Sequence, residues 1–178
     1  MAGFQIALAD PSFAADPDFV EAITGLINEA FAATERGIWL PGSERVSAAR
    51  VTSYVAGGQI VAAWRGGHLA GVARVRLLSP GEAECSLVAR APDHGGRRLG
   101  SDLLAFAEKW ARGLAAVRVR TELLTSRVLP QPYAEQMKAW LRSHRYDLVG
   151  IGDLAEWRPE MKPHLAAACD YLVFYKKL

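Results

Sequence analysis

Cysteine is scarce in this chain, with Cys85 and Cys169 the only two among 178 residues. Two such distant thiols make no disulfide framework, and with four dispersed histidines they offer no metal-ligand spacing. Cys85 falls in a predicted strand and reads as a small core residue. Long apolar runs are also missing. None approaches the roughly 20 residues of a membrane helix, and the N-terminus lacks the basic start and apolar stretch of a secretory signal. A reducing, cytoplasmic setting with no membrane partner is expected. Charge of one sign is missing as well. The net charge is +2, and the arginines are scattered, so nothing points to nucleic acid. There is no internal repeat, no Gly-x-Ser-x-Gly elbow and no Walker-type lysine. What remains is an ordinary globular composition, 51% hydrophobic and 22% charged. Its length suits one domain over 1–178.

Periodicity orders the elements. Phe4 to Ala9 reads as a short strand. Asp16-Pro17 opens a helix, with Asp as cap and Pro at the first position. Phe19, Ile23, Leu26, Ile27, Ala30 and Phe31 form its apolar stripe. A second helix is expected from about Ser43 to Tyr54. Gln59 to Trp64 and Leu69 to Leu78 are strands joined by Arg65-Gly66-Gly67-His68, a hairpin-type connection. A strand from Glu84 to Ala89 follows, then a helix from Ser101 to Arg112 striped by Leu99, Leu103, Phe106, Ala107, Trp110 and Leu114. Val117, Val119, Thr121 and Leu123 alternate with Arg118, Arg120 and Glu122, a strand with one apolar face. Tyr133, Met137, Trp140, Leu141 and His144 stripe another helix. Tyr146 to Ile151 and Tyr171 to Tyr175 close the chain as strands. A short helix, Pro163 to Ala168, is expected in the long connection from Gly152 to Cys169. This order describes an α/β (α+β) domain, a mixed sheet with helices packed on it.

The most informative stretch is Ala91-Pro92-Asp93-His94-Gly95-Gly96-Arg97-Arg98-Leu99-Gly100. A strand leads into it and a helix leads out. Unpaired N–H groups and the dipole of a helix N-terminus favour an anion there. Gly95, Gly96 and Gly100 let the backbone bend and approach closely. Arg97 and Arg98 stand where the positive helix end disfavours cations, which points to phosphate contact against the plain reading of solvated arginines. Ser101 caps the helix or touches the phosphate. The stretch therefore implies a phosphorylated cofactor.

With these residues in view the chain resembles a GNAT-type N-acetyltransferase, most sharply from Ala83 to Arg112. That family's motif is written Arg/Gln-x-x-Gly-x-Gly/Ala. Gly96, Gly100 and the preceding Pro92-Asp93 fit it, while Gly95 stands where Arg or Gln is usual and Arg98 where the middle Gly is usual. A second likeness is Trp140-Leu141-Arg142-Ser143-His144-Arg145-Tyr146, with Leu141 at the family's tyrosine position. The resemblance implies a sheet of about six to seven strands that splays between the fourth and fifth, flanked by about four helices. It implies acetyl-CoA as cofactor, pantetheine along Val88, Ala89 and Arg90, and pyrophosphate on Gly95, Gly96, Arg97, Arg98, Leu99, Gly100 and Ser101. It implies an acceptor that is a primary amine of a small molecule or a peptide, and it makes a homodimer plausible.

The amine must be neutral to attack, which calls for a base. Glu84 is the first candidate, on the strand ahead of the motif, where this family often places a carboxylate. The competing reading is a surface glutamate paired with an arginine. Glu122 is the second candidate, although a surface ion pair with Arg118 or Arg120 suits it better. Tyr133 lies two turns earlier on the same helix stripe and could replace the missing tyrosine as acid only if the helix starts differently; it reads better as a core or slot-lining aromatic. His144 reads as a packing residue. Because Leu141 cannot donate a proton, a water is expected to protonate the departing thiolate. Glu35 to Gly42, with Trp39, and the connection from Gly152 to Cys169, with Asp153, Glu156, Trp157, Arg158, Glu160 and His164, are the acceptor-side segments; the acidic residues of the connection could hold a cationic amine, against the plain reading of a solvated loop. Two other functions compete: a non-catalytic acyl-CoA sensor, kept open by Leu141, and a dinucleotide-binding domain. The glycine turn comes too late in the chain for the latter.

Overall fold

The computed structural model describes residues 3–93 and 98–178. The chain divides into two compact units. One holds the residues to Phe31, Glu44–Val119 and Leu178; the other holds Ala32–Ser43 and Arg120–Lys177.

In the first unit four strands run as an antiparallel meander: β1 (Gln5–Leu8), β2 (Ile60–Arg65), β3 (His68–Ser79) and β4 (Glu82–Arg90). The β2–β3 hairpin turns on Gly66 and Gly67, at φ +58° and +81°, with Arg65 facing His68. A two-residue turn whose twist matches the strands needs positive φ at both positions, which is why two glycines stand there. Helix α1 (Pro17–Thr34) starts where the sequence predicts. Asp16 Oδ1 accepts from the N–H of Asp18 and Phe19 at 3.0 and 3.3 Å. Its stripe of Phe19, Val20, Ile23, Leu26 and Ile27 packs in one core with Val51, Val55, Ile60 and Val72. Helix α2 (Ala48–Ala56) begins five residues later than expected. The side chain of Asn28 bonds to both backbone groups of Val46, at 2.9 and 3.0 Å, so those groups are already paired outside a helix. Ser47, not Ser43, then supplies the cap, accepting from Arg50 N–H.

Helix α3 (Leu99–Gly113) packs on β3 and β4 with Leu99, Leu103, Leu104, Ala107 and Ala111 buried. The expected stripe is rotated. Ala107 and Ala111 take the face toward the sheet, while Phe106 and Trp110 flank it and Leu114 is exposed. Small side chains let the helix axis come close, and the bulky ones cover the edges.

In the second unit β7 (Cys169–Lys177) lies between β5 (Arg118–Ser126) and β6 (Asp147–Asp153). β6 and β7 pair antiparallel. Helix α4 (Pro132–Ser143) precedes β6. The long connection after β6 forms a four-residue helix, α5 (Leu154–Trp157), and a 3-10 turn at Pro159–His164. The short helix expected at Pro163–Ala168 is replaced by these earlier elements because Asp153 caps α5, accepting from Ala155 and Glu156 N–H. Ile38, Leu124, Leu154, Cys169, Tyr171 and Val173 form the core. The bonds Leu40 N–H to His164 O and Ala166 N–H to Ile38 O, at 2.8 and 2.9 Å, tie the segment after α1 to this unit. Seven strands and helices on their faces bear out the α/β class. Among the described residues no helix is long and apolar enough to cross a membrane.

Candidate active site

β4 carries an irregularity that sequence reasoning missed. Val72 faces Ala89 and Arg74 faces Ser86, so Ala73 alone opposes Leu87 and Val88. This is a β-bulge, and Leu87 sits in it at φ +51°. A left-handed conformation costs a leucine about 1–2 kcal/mol. Bulges re-aim side chains and concentrate next to active sites. No glycine marks the position, so the sequence gives no local signal for it.

Past the bulge lie Val88, half-buried, Ala89, buried, and Arg90, exposed at the strand's end. Gly71 on β3 sets how close α3 comes to them. A Cβ there would stand 2.7 Å from Leu99 Cδ2, 2.9 Å from the Ala89 carbonyl oxygen and 3.3 Å from Leu103 Cδ1. The absent side chain is a cradle that seats the first turn of α3 against β4. Arg98 is the N-cap residue and makes no side-chain cap bond. The first-turn N–H groups of an α-helix have no carbonyl one turn back within the helix, the kind of end that suits an anion. Arg98 is mostly exposed and 3.6 Å from Asp102, a contact worth little in water. A diphosphate and a strand-pairing chain fit what is built here: a helix start, a guanidinium and the end of a bulged strand. Gly95, Gly96 and Arg97 lie outside the described residues.

Glu84 stands three residues before the bulge and is 2% exposed. It is directly opposite Arg76 on β3. Arg76 Nε donates to Oε1 at 2.9 Å and Nη2 to Oε2 at 3.2 Å, while Ser86 Oγ donates to Oε1 at 3.3 Å. Such a fork-on-fork pair is among the stronger charge-assisted contacts and fixes the carboxylate's plane. The surface ion pair weighed against a base role is thus a buried one, and the two roles share one geometry. Two residues earlier Glu82 is held by Arg118, whose Nε is 3.0 Å away.

Glu122 on β5 does pair with Arg120, at 2.6 Å, but the pair is not on the surface. Both faces of this strand are covered: Val119 and Thr121 are buried on one, Leu124 on the other. Glu122 Oε1 also accepts from Arg158 Nη2 at 3.0 Å. Arg120 and Arg158 both donate to Tyr171 Oη, at 3.1 and 2.9 Å. Burial, then the charge of Glu122, push the Tyr171 hydroxyl up to about 12. Burial works to lower Arg158, but its bond to Tyr171 and the charge of Glu122 outweigh that and raise it. Arg158 and Tyr171 had no motif to announce them.

Tyr133 lies in the first turn of α4 and is exposed, not part of a core stripe. Leu141 is buried. His144 ends α4, with Nδ1 2.8 Å from the Trp140 carbonyl oxygen and its ring 4.6 Å from that indole, a packing residue as read. Of the acidic residues from the end of β6 onward, Asp153 is committed to its cap and to Arg127. The cap bond from Ala155 N–H and the Arg127 contact outweigh desolvation and hold its carboxyl below the usual range. Among the described residues no group of His, Cys, Asp and Glu could hold a metal ion.

Residues 25–128 match the model of the Acetyltransferase (GNAT) family. A comparison with curated proteins finds no match. Solved structures share the fold. The chain is similar to the ribosomal-protein-alanine N-acetyltransferase from Brucella melitensis, with 19% identity and a TM-score of 0.69 over 98% of this chain and 99% of that one. It is similar to the yncA protein from Salmonella typhimurium, solved with its cofactor acetyl-CoA, with 18% identity and a TM-score of 0.65 over 99% and 95%. The polyamine N-acetyltransferase of Drosophila melanogaster gives 11% identity and a TM-score of 0.69 over 99% and 100%. With more than half of its length matched by the family model, the chain belongs to the GNAT family of acetyltransferases, and acetyl-CoA is its acyl donor.

Proposed function

We propose that this protein transfers an acetyl group from acetyl-CoA to the primary amine of a small molecule or peptide by direct attack, as one catalytic domain. The observation that carries the reading is the layout of β4. An oriented, buried carboxylate, a left-handed bulge and the strand end beside α3 fall within nine residues.

Acetyl-CoA supplies a thioester whose acetyl carbon forms a bond to the amine nitrogen as its bond to sulfur breaks. The chain's residues do the rest. Backbone groups of Val88, Ala89 and Arg90 align the pantetheine arm. The first turn of α3 with Arg98, and Gly95, Gly96 and Arg97 before it, hold the pyrophosphate. Glu84 takes the amine's proton, directly or through one water, and Arg76 keeps its carboxylate aimed. Glu122, already accepting from two arginines, is the second candidate. Leu141 offers no proton, so water protonates the thiolate, with the exposed Tyr133 the alternative donor on α4.

Thiol release with an amine panel tests this. Glu84→Gln should lower kcat about 10²–10⁴-fold and leave acetyl-CoA affinity nearly unchanged. An unchanged kcat and pH profile in that variant removes Glu84 from the base role. Saturable acetyl-CoA binding with no thiol released from any amine would mark the chain as a sensor, the reading that the buried Leu141 favours.

A further inference from the structure

Glu84 is buried, and Arg76 donates to both of its oxygens. A base must lie within hydrogen-bond reach of the proton it takes, or one water away from it. The neighbour that links Glu84 to more open ground is Ser86. Residues two apart on a strand share a face, so Ser86 lies on the face of Glu84. Its hydroxyl donates to Glu84 Oε1 at 3.3 Å. That is longer than an ordinary O–H···O bond, as catalytic hydrogen bonds often are before the substrate is in place. Ser86 is half-buried. It is also the last residue before the bulge, with Leu87 at φ +51° next in the chain.

Arg74 stands directly opposite Ser86 on β3, yet its side chain leans the other way. Nε and Nη2 donate to Gln59 Oε1 at 2.9 and 2.7 Å, and the guanidinium lies 3.8 Å from the Tyr54 ring centre. Gln59 leads into β2, on the far side of β3 from β4. The direction of the donor adds to this. With pyrophosphate at the first turn of α3 and pantetheine along Val88, Ala89 and Arg90, the thioester points back along β4 to the bulge. Ser86 is the first polar side chain past Val88 in that direction, and Glu84 lies two residues, about 7 Å, beyond it.

We propose that Ser86 is a catalytic proton relay between the acceptor's nitrogen and Glu84. The inference rests on the reading of Glu84 as base, and puts a hydroxyl of the chain where that reading allows a water. A serine suits the place because its hydroxyl both donates and accepts. As the nitrogen bonds to the acetyl carbon, its proton passes to Ser86 Oγ and the hydroxyl's own proton passes to Glu84 Oε1. One N–H and one O–H bond break, and two O–H bonds form. Ser86 ends as it began, and Glu84 ends as a carboxylic acid that returns its proton to water before the next turnover.

Thiol release with an acceptor drawn from the amine panel provides the assay, and circular dichroism checks each variant's fold. Ser86→Ala should lower kcat about 10²-fold while the KM for acetyl-CoA stays unmoved. Ser86→Thr keeps the hydroxyl on a β-branched side chain that suits a strand, and should restore most of the rate. In mixtures of light and heavy water, two protons moving together make the rate a curved function of deuterium content, whereas one proton makes it linear. The unmodified protein should give the curve. An unchanged kcat in Ser86→Ala overturns the relay, as does a threonine variant no faster than the alanine one, or a linear plot. Should Ser86→Ala not fold, the plot for the unmodified protein decides. A slow Glu84→Gln beside an unimpaired Ser86→Ala keeps the base and removes the relay alone. An unimpaired Glu84→Gln, or no thiol release from any amine, removes the underlying reading and the relay with it.

Discussion

Replacing Gly71 by alanine asks one methyl group to occupy space that α3 and β4 already fill. The added Cβ would meet Leu99 Cδ2 at 2.7 Å and the Ala89 carbonyl oxygen at 2.9 Å. Leu99 can turn aside in part. The carbonyl belongs to the strand and cannot, so either β4 or the first turn of α3 must shift. Overpacking of this kind costs about 1–3 kcal/mol. For a chain of this length each kcal/mol moves Tm by roughly 2–4 °C, so a fall of about 2–12 °C is expected. Because the shift falls where the strand end meets the helix start, acetyl-CoA affinity should drop as well. Gly25→Ala in the middle of α1 is the control. Nothing lies within 4 Å of its Cβ position, and alanine is the better helix former by about 1 kcal/mol. Circular dichroism melts and calorimetric titration with acetyl-CoA read both outcomes. A Gly71→Ala variant with unchanged Tm and unchanged affinity would refute the account of α3 as seated by an absent side chain.

At the bulge, Leu87→Gly should be more stable than Leu87→Ala by about 1 kcal/mol in urea unfolding, since both lose the side chain but only glycine relieves the left-handed strain; equal stabilities would mean that no strain is stored there. Cys85 and Cys169 are both buried, so native protein at pH 8 should give no reaction with Ellman's reagent until it is unfolded. Burial, then the charge of Glu84, push the Cys85 thiol from 9.0 to about 12. A raised value means the contribution to stability is full below pH 9 and is lost as pH climbs toward 12. Base titration followed by circular dichroism should show it, and Cys85→Ala should remove that part of the slope.

The order of strands and helices was legible because it rests on periodicity, which local composition carries. Asp16-Pro17 and Gly66-Gly67 announced a helix start and a turn through their own chemistry. Much of the site was less visible. Leu87 is an ordinary residue in an extraordinary conformation, imposed by pairing with β3 and not by its own preference. The partnership of Arg76 with Glu84 depends on register, and that of Glu122 with Arg158 and Tyr171 joins residues from three elements, which no spacing in the sequence encodes. The α3 stripe was misjudged for a related reason: hydrophobic size favours Phe106 and Trp110, whereas proximity to the sheet favours Ala107 and Ala111. The α2 start moved because a single asparagine, Asn28, reaches Val46 from another element.

The second unit is assembled from chain that is far apart in sequence, Ala32–Ser43 and Arg120–Lys177. Its bridge from Trp39 to Leu165 cannot form until Leu165 has been made. The first unit's meander, by contrast, joins neighbouring strands and is complete once Arg90 has been made. During synthesis the segment bearing Trp39 must therefore wait until Leu165 is made, without its partner. Non-local closure of this kind is slow and leaves apolar surface uncovered in the interval. The nascent chain passes through a long stage in which half of its architecture can be formed while Ile38 and Trp39 still stand in water, and that stage, more than the finished molecule, is where a chaperone would find something to hold.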